Sequence, residues 1–294
     1  MRYAFIAAHA SRAWPVEELC GALDVSRSGY YAWRRRPEST RRARDHELAA
    51  LVHTVHRMSH RTYGSPRIHR ELIATGTPCG RHRIARLMRE EGLRAKQGRR
   101  FRPRASAPPA ALAPNRLARR FHRARVPSEL DRAWVADATA FPTREGWLQL
   151  IVLLDLGSRQ VVGWAAGPDL NEALACRALR SALVARRPLP GLLVHSDQGS
   201  PFVSRGFSTL VAQAGAELSM SRRGNCWDNA VVESFFHTLK DERRERLPYA
   251  SFTAARADLF EFIEVWYNRR RRHSTLNYVS PMEYETQLLL QDCS

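Results

Sequence analysis

Three acidic residues stand in settings where carboxylates do chemistry. Asp137 lies inside Trp134-Val135-Ala136-Asp137-Ala138-Thr139, an apolar run that reads as a strand. Asp197 lies just past a second short apolar run, in Leu192-Leu193-Val194-His195-Ser196-Asp197-Gln198-Gly199-Ser200. Glu233 lies on a helical stretch, with 35 residues between it and Asp197. Hard oxygen ligands carried by two strands and a packed helix can hold a pair of Mg²⁺ ions. Such a pair, about 3.5–4 Å apart, clamps the attacking and leaving oxygens of a phosphodiester. The plain alternative is three unrelated surface acids, because a chain with 29 acids offers many triples. Context favours the site: a strand, a strand-end turn and a helix border are where metal coordination needs its ligands.

The helix that carries Glu233 has a clear apolar stripe. Val232, Phe235, Phe236 and Leu239 fall at i, i+3, i+4 and i+7 and face a core. Glu233 is one step off that stripe, with His237 and Lys240 on its own side. Lys240 would then point at a phosphate. The chain has only two lysines, Lys96 and Lys240, so a lysine here reads as a specific need, although chance would also produce it. His237 reads as a bystander. Asp155, ending the next strand, is the rival ligand and is read as structural, bonded within its hairpin. Asp228 reads as a helix cap.

Around these residues the charge is unevenly spread. Residues 1–130 hold 28 Lys+Arg against 10 Asp+Glu, whereas residues 131–294 hold 19 of each, so the whole net charge of +18 sits in the first part. A field concentrated in that way fits a polyanion partner, DNA or RNA. No interleaved aromatic platform favours RNA. The five cysteines form no C-x-x-C pair, which argues against a zinc site or a disulfide framework and fits a reducing cytoplasm. No apolar run approaches the ~18–20 residues of a membrane span. Residues 1–10 read as the first helix of a soluble domain.

The basic part reads as two helical DNA-binding segments and a linker. Over residues 1–40, Val16, Leu19, Cys20 and Leu23 make one apolar stripe, Asp24-Val25 a turn, and Ser26 the cap of a second helix bearing Arg27 and Ser28. That is helix-turn-helix spacing, though any helical hairpin looks similar. Over residues 41–95, Ser65 caps a helix with Pro66 in its first turn, Arg67 as a candidate DNA contact, and Ile68, Leu72 and Ile73 inward. A further helix, Arg81 to Glu91, keeps Ile84, Leu87 and Met88 on one face, and Gly92 stops it. Its Arg81, His82, Arg83 and Arg86, with no balancing acid before Glu90, make a free face suited to a major groove; a solvated charged face is the bland alternative. Residues 96–130, arginine- and proline-rich, read as an extended basic linker tracking DNA.

The neutral part, residues 131–294, alternates strands and helices. Apolar runs at 133–141, 147–155, 160–166, 191–195 and 216–220 read as strands, with a hairpin turn at Gly157-Ser158-Arg159. Helical stretches fit 170–186, 204–214, 228–243 and 252–268, the last with Phe260, Ile263 and Trp266 inward. The pattern predicts a mixed α/β layer preceded by an all-α region. The run Arg269-Arg270-Arg271-Arg272-His273 either contacts DNA, through Arg270 and Arg271, or serves as favourable charge at a helix end.

In combination the motifs resemble one family over nearly the whole chain. They are Val25-Ser26-Arg27-Ser28-Gly29-Tyr30-Tyr31-Ala32-Trp33, Tyr63-Gly64-Ser65-Pro66-Arg67-Ile68, the three acidic motifs, residues 224–233, and Tyr267-Asn268-Arg269-Arg270-Arg271-Arg272-His273-Ser274. The sequence is similar to the insertion-sequence-three family of bacterial transposases, specifically the product of the second reading frame. The resemblance implies a retroviral-integrase-like catalytic core of RNase H fold, with Asp137, Asp197 and Glu233 as the metal-binding triad and Lys240 as its basic companion. It implies Mg²⁺ as cofactor, with Mn²⁺ as a substitute, and double-stranded DNA as substrate, both the element's terminal repeats and the target. It implies nicking that frees a 3′-hydroxyl, joining of that hydroxyl elsewhere, and a circular, copied intermediate. It further implies a bacterial, nucleoid-associated enzyme working as a homo-oligomer, with an upstream-frame protein as partner or as a fusion. No leucine heptad of that partner is present in this chain. Two competing classes are a non-catalytic DNA-binding regulator derived from a transposase, and a nuclease of the same fold that does not join strands.

Overall fold

A computed structural model describes residues 1–35, 39–96, 113–222, 229–243 and 246–291. The basic part is helical, as its periodicity predicts. Helices α1 (Arg2–His9), α2 (Val16–Ala22) and α3 (Arg27–Arg35) bury Ile6, Cys20 and Tyr30 in a small core of their own. Ser26 accepts from the Gly29 N–H at 3.0 Å, as a cap to α3 should. Helices α4 (Thr40–Met58), α5 (Ser65–Ala74) and α6 (Arg81–Glu90) form a second bundle around Val52, Ile68, Leu72, Ile84 and Leu87.

Two details of α5 depart from the expectation. Gly64 holds the cap position, and Ser65 is already helical. Ile73 is 45% exposed, because Ile68 and Leu72 define the inward face and Ile73 falls a further hundred degrees or so round the helix.

The neutral part is a five-stranded sheet, β1 (Ala133–Thr143), β2 (Gly146–Asp155), β3 (Val161–Gly167), β4 (Leu193–Ser196) and β5 (Glu217–Met220), in the order β3-β2-β1-β4-β5. The first three strands are antiparallel, and β4 and β5 run parallel to β1. Strand alternation divides β1 and β2 between two layers. Trp134, Ala136, Ile151 and Leu153 pack under α7 (Glu172–Arg186) and α8 (Arg205–Gln213). Val135, Phe141, Leu148, Leu150 and Val152 pack under α9 (Ala230–Arg243) and α10 (Phe252–Phe260). On the α7 side the approach is close: a Cβ at Gly163 of β3 would sit 2.6 Å from the Ala182 Cβ.

The helix expected over 252–268 changes pitch midway. After α10, residues Glu261–Tyr267 wind as a π-helix, which puts Phe262, Ile263 and Trp266 inward and leaves Phe260 54% exposed. The wider winding shifts the phase of the apolar stripe, which a fixed 3.6-residue period misplaces. Helix α11 (Pro281–Gln291) closes the described chain. Among the described residues no helix is long and apolar enough to cross a membrane.

The basic linker is described from residue 113 onward, where it lies along the sheet domain. The Arg116 N–H donates to Ser219 Oγ at 2.9 Å, Arg116 pairs with Glu217 at 3.0 Å, and the Ala124 N–H donates to the Gly157 carbonyl at 3.0 Å. Leu117, 3% exposed, joins the core under the sheet. This portion is fastened to the sheet domain. Residues 97–112 lie outside the described residues.

Candidate active site

Strand pairing brings the two aspartates together. β1 and β4 run parallel with Val135 opposite His195 and Ala136 opposite Ser196. The next residues along these strands are Asp137 and Asp197, side by side at the end of β4. His195 is fully buried between Ser219 and Ser221, at 2.8 and 3.1 Å, which ties β4 to the β5 side just before Asp197. Gln198 then donates to the Ser221 carbonyl at 3.0 Å. Asp197 is therefore delivered by a fixed turn. Its Oδ1 accepts from the Gly199 N–H at 2.9 Å.

Glu233 arrives from above. Asp137 lies on the β1 face that also shows Val135 and Phe141, the face α9 covers. At the start of α9, Asn229 donates from Nδ2 to the Ala136 carbonyl at 3.2 Å. Further along, Lys240 Nζ sits 6.0 Å from the centre of the Phe141 ring. Eleven helical residues and five strand residues each span about 16 Å, so α9 runs along β1 with both ends in register. Glu233, one turn past Asn229, falls above Asp137.

The charges of these residues act on one another. Burial, then the charges of Asp197 and Glu233, push the Asp137 carboxyl well up, against the Ala138 N–H and Lys240, which pull it down. Burial raises Asp197, and burial followed by Asp197 raises Glu233. Burial lowers Lys240, and Asp137 opposes that shift. Asp197 and Glu233 thus oppose the ionisation of Asp137, and Asp197 that of Glu233, with the Lys240 ammonium as counterweight at Asp137. All-oxygen donors with surplus negative charge suit a hard divalent cation, so the residues fit one. As they stand, no three His, Cys, Asp or Glu side chains among the described residues already close around a single point.

The other expected residues fall into two groups. Arg81 and His82 are exposed on α6, Arg27 and Ser28 are exposed on α3, with Arg27 paired to Glu17 at 2.8 Å, and Arg270 is exposed beyond the π-helix. Arg83 and Arg86 are not free. Asp45 of α4 accepts from both at 2.6 Å, and Glu90 from Arg86 at 2.8 Å. The balancing acid lies on another helix, where a linear scan of α6 does not look. Arg67 is half-buried and donates from Nε to the Arg272 carbonyl at 3.1 Å. Arg271 is 5% exposed and paired with Glu242 at 2.8 Å, so it presents no surface to a phosphate. His237 pairs with Asp241 at 3.2 Å, and Asp155 accepts from the Ser158 N–H and hydroxyl at 2.7 and 2.9 Å, both as bystander and structural roles require. Asp228 lies outside the described residues. Asn229, which fastens the start of α9 to β1, carries no sequence signal beyond its place just before a helix with a candidate ligand.

A mixed five-stranded sheet with an aspartate on its central strand, a second just past the neighbouring parallel strand and a glutamate on the helix lying along it has the form of an RNase H-like core of the integrase type, the polynucleotidyl-transferase class. Residues 127–226 and 214–281 match the family description "Integrase core domain", and residues 43–101 match "HTH-like domain". The chain is 39% identical over 267 residues to "Insertion element IS600 uncharacterized 31 kDa protein" of Shigella sonnei, spanning 90% of this chain and 97% of that one. It is 38% identical over 294 residues to "Transposase InsF for insertion sequence IS3A" of Escherichia coli (strain K12), spanning 98% and 100%. Among solved structures, the catalytic core domain of BIV integrase aligns with a TM-score of 0.42 at 17% identity, covering 56% of this chain and 99% of that one. The chain belongs to the IS3 family of insertion-sequence transposases.

Proposed function

We propose that this chain is a DNA transposase that nicks at the ends of its insertion sequence and joins the freed 3′-hydroxyl to another phosphodiester. The observation that carries the proposal is the parallel β1–β4 register that ends beside Asp137 and Asp197, together with the Asn229 and Lys240 contacts of α9, the helix bearing Glu233, with β1. Asp137, Asp197 and Glu233 would hold Mg²⁺, with Mn²⁺ as a substitute. When bound, the metal pair supplies activation of the attacking oxygen and charge neutralisation at the leaving 3′-oxygen.

Two displacements account for the reaction. In the first, water attacks the phosphorus at the element end, the bond to the 3′-oxygen breaks, and that oxygen leaves as a hydroxyl. In the second, this hydroxyl attacks a target phosphodiester and displaces another 3′-oxygen, so the number of phosphodiesters is unchanged in that step. The rigid mounting of the carboxylates on β1, the β4 turn and α9 supplies positioning, the main protein contribution to such chemistry. Lys240, exposed and with no ion-pair partner among the described residues, meets a DNA phosphate. Arg81 and His82 on α6, Arg27 and Ser28 on α3, and Arg270 are the candidate duplex contacts. The proposed working form is a homo-oligomer on DNA, together with or fused to an upstream-frame protein, in the bacterial cytoplasm at the nucleoid.

The test is a strand-transfer assay on a duplex bearing the element's own terminal repeat, with Mg²⁺ and with EDTA, beside Glu233→Gln. Mg²⁺-dependent joined product that vanishes in the variant supports the proposal. Nicking without joining would make the chain a nuclease. Binding without cleavage, even with the upstream-frame protein added, would make it a DNA-binding regulator.

A further inference from the structure

Arg271 and Arg272 are adjacent in sequence but bind partners in different parts of the protein. Arg271 donates from Nε to Glu242 of α9 at 2.8 Å, and Trp266 Nε1 donates to the other Glu242 oxygen at 2.8 Å. Arg272 pairs with Glu71 of α5. Its N–H donates to the Tyr63 hydroxyl at 2.7 Å, and its carbonyl accepts from Arg67 at 3.1 Å. The Trp266 ring lies 5.4 Å from that of His60 and 5.8 Å from that of Tyr63. The α4–α6 bundle is thus fastened to the sheet domain through α5 and the turn before it. Arg81 and His82 of α6 remain exposed.

We infer that the Arg271–Arg272 pair is a strut that sets the distance between the DNA sequence read by the α4–α6 bundle and the phosphodiester that is cut. The inference rests on the transposase reading above. Glu242 lies on the same helix as Glu233, about 14 Å further along its axis, and a helix is stiff over that length. One arginine grips this helix and the next grips α5, so any displacement of the bundle moves both. Ion pairs of this kind add little net stability, because removing charges from water offsets their attraction; fixing one arrangement among several is their better-attested role.

The test uses the full chain and a charge exchange. A hydroxyl-radical-generating iron chelate is tethered at His237→Cys, on the exposed side of α9, in a chain whose accessible cysteines are serine. Scission of a terminal-repeat duplex then maps where α9 lies on the DNA, independently of the protein's own chemistry. A narrow scission cluster is expected with Arg272 in place. Arg272→Glu and Glu71→Arg should each displace or broaden it, and the two together should restore it. The Mg²⁺-dependent nick should move in step. An unmoved cluster in Arg272→Glu, or a double exchange that fails to restore it, overturns the strut. A cluster that responds to the exchange in a chain that never nicks would keep the strut as what sets the place of α9 on the DNA and sink the transposase reading. No cluster on the terminal-repeat duplex overturns both.

Discussion

Asn229 hydrogen-bonds the carbonyl of Ala136 at 3.2 Å, and this one bond links the residue before helix α9 to the residue before Asp137. The helix that carries Glu233 is thereby registered on the strand that carries its fellow carboxylate. Asn229 is 3% exposed, so no water readily replaces the bond. Asn229→Ala is expected to lower single-turnover nicking roughly ten- to hundredfold, the cost of misplacing a group by about 1 Å. Affinity for the terminal-repeat duplex should be unchanged. A nicking rate equal to that of the unmodified chain would show that other contacts hold α9.

Lys240 is the counter-charge to Asp137. Lys240→Gln removes it and leaves three carboxylates facing one another. Nicking and joining should fall by roughly a hundredfold, as when one electrostatic donor is lost from a catalytic site. Lys240→Arg should retain a good part of the rate. Equal rates for lysine and glutamine at this position would remove Lys240 from the site.

The arginines of α6 should separate into two kinds under mutation. Arg81→Ala and His82→Ala are expected to weaken DNA binding without altering thermal stability, and Arg81→Ala should reduce the salt slope of binding by about one. Arg83→Ala and Arg86→Ala should lower the melting temperature, because each leaves Asp45 with one partner where it now has two. Binding and melting curves for the four variants check this, and a melting temperature unaffected by Arg83→Ala would contradict it.

Asp155 predicts a pH signature. Burial, with Asp131 adding to it, pushes its carboxyl up to about 6. A carboxyl that keeps its proton longer folded than unfolded contributes stability that is fully present below about pH 4 and lost as pH rises through 6. The difference between the unfolding curves of the unmodified chain and Asp155→Asn, measured from pH 4 to 7, should fall across that window. A pH-independent difference would mean that Asp155 titrates alike in both states.

Arg243 anchors the far end of α9. It is 1% exposed, pairs with Asp258 at 3.2 Å and with Glu261, and its guanidinium lies 4.8 Å from the centre of the Phe262 ring. Arg243→Ala leaves Asp258 without one of its charge partners and should cost about 3–5 kcal/mol, the usual consequence of breaking a buried pair. Denaturant unfolding measures it; a loss under about 1 kcal/mol would show that Arg246 and Tyr249, which also bind Asp258, suffice.

The sequence by itself determined most of the elements and which residues are candidates for the chemistry. Carboxylate identity, strand alternation and the i, i+3, i+4, i+7 stripe of α9 are local properties, so Asp137, Asp197, Glu233 and Lys240 could be singled out before any fold was known. Tertiary structure decided which charges are free. Asp45 reaches Arg83 and Arg86 from another helix, and Glu242 takes Arg271 out of solvent. Such pairings join residues far apart in sequence, and no linear pattern records them. The phase of the helix after Phe252 was illegible for a related reason: the π-helical stretch changes the period itself, and with it which of Phe260 and Phe262 is buried. Only the parallel register of β1 and β4 placed the two aspartates side by side, because strand pairing is a choice made by the whole sheet.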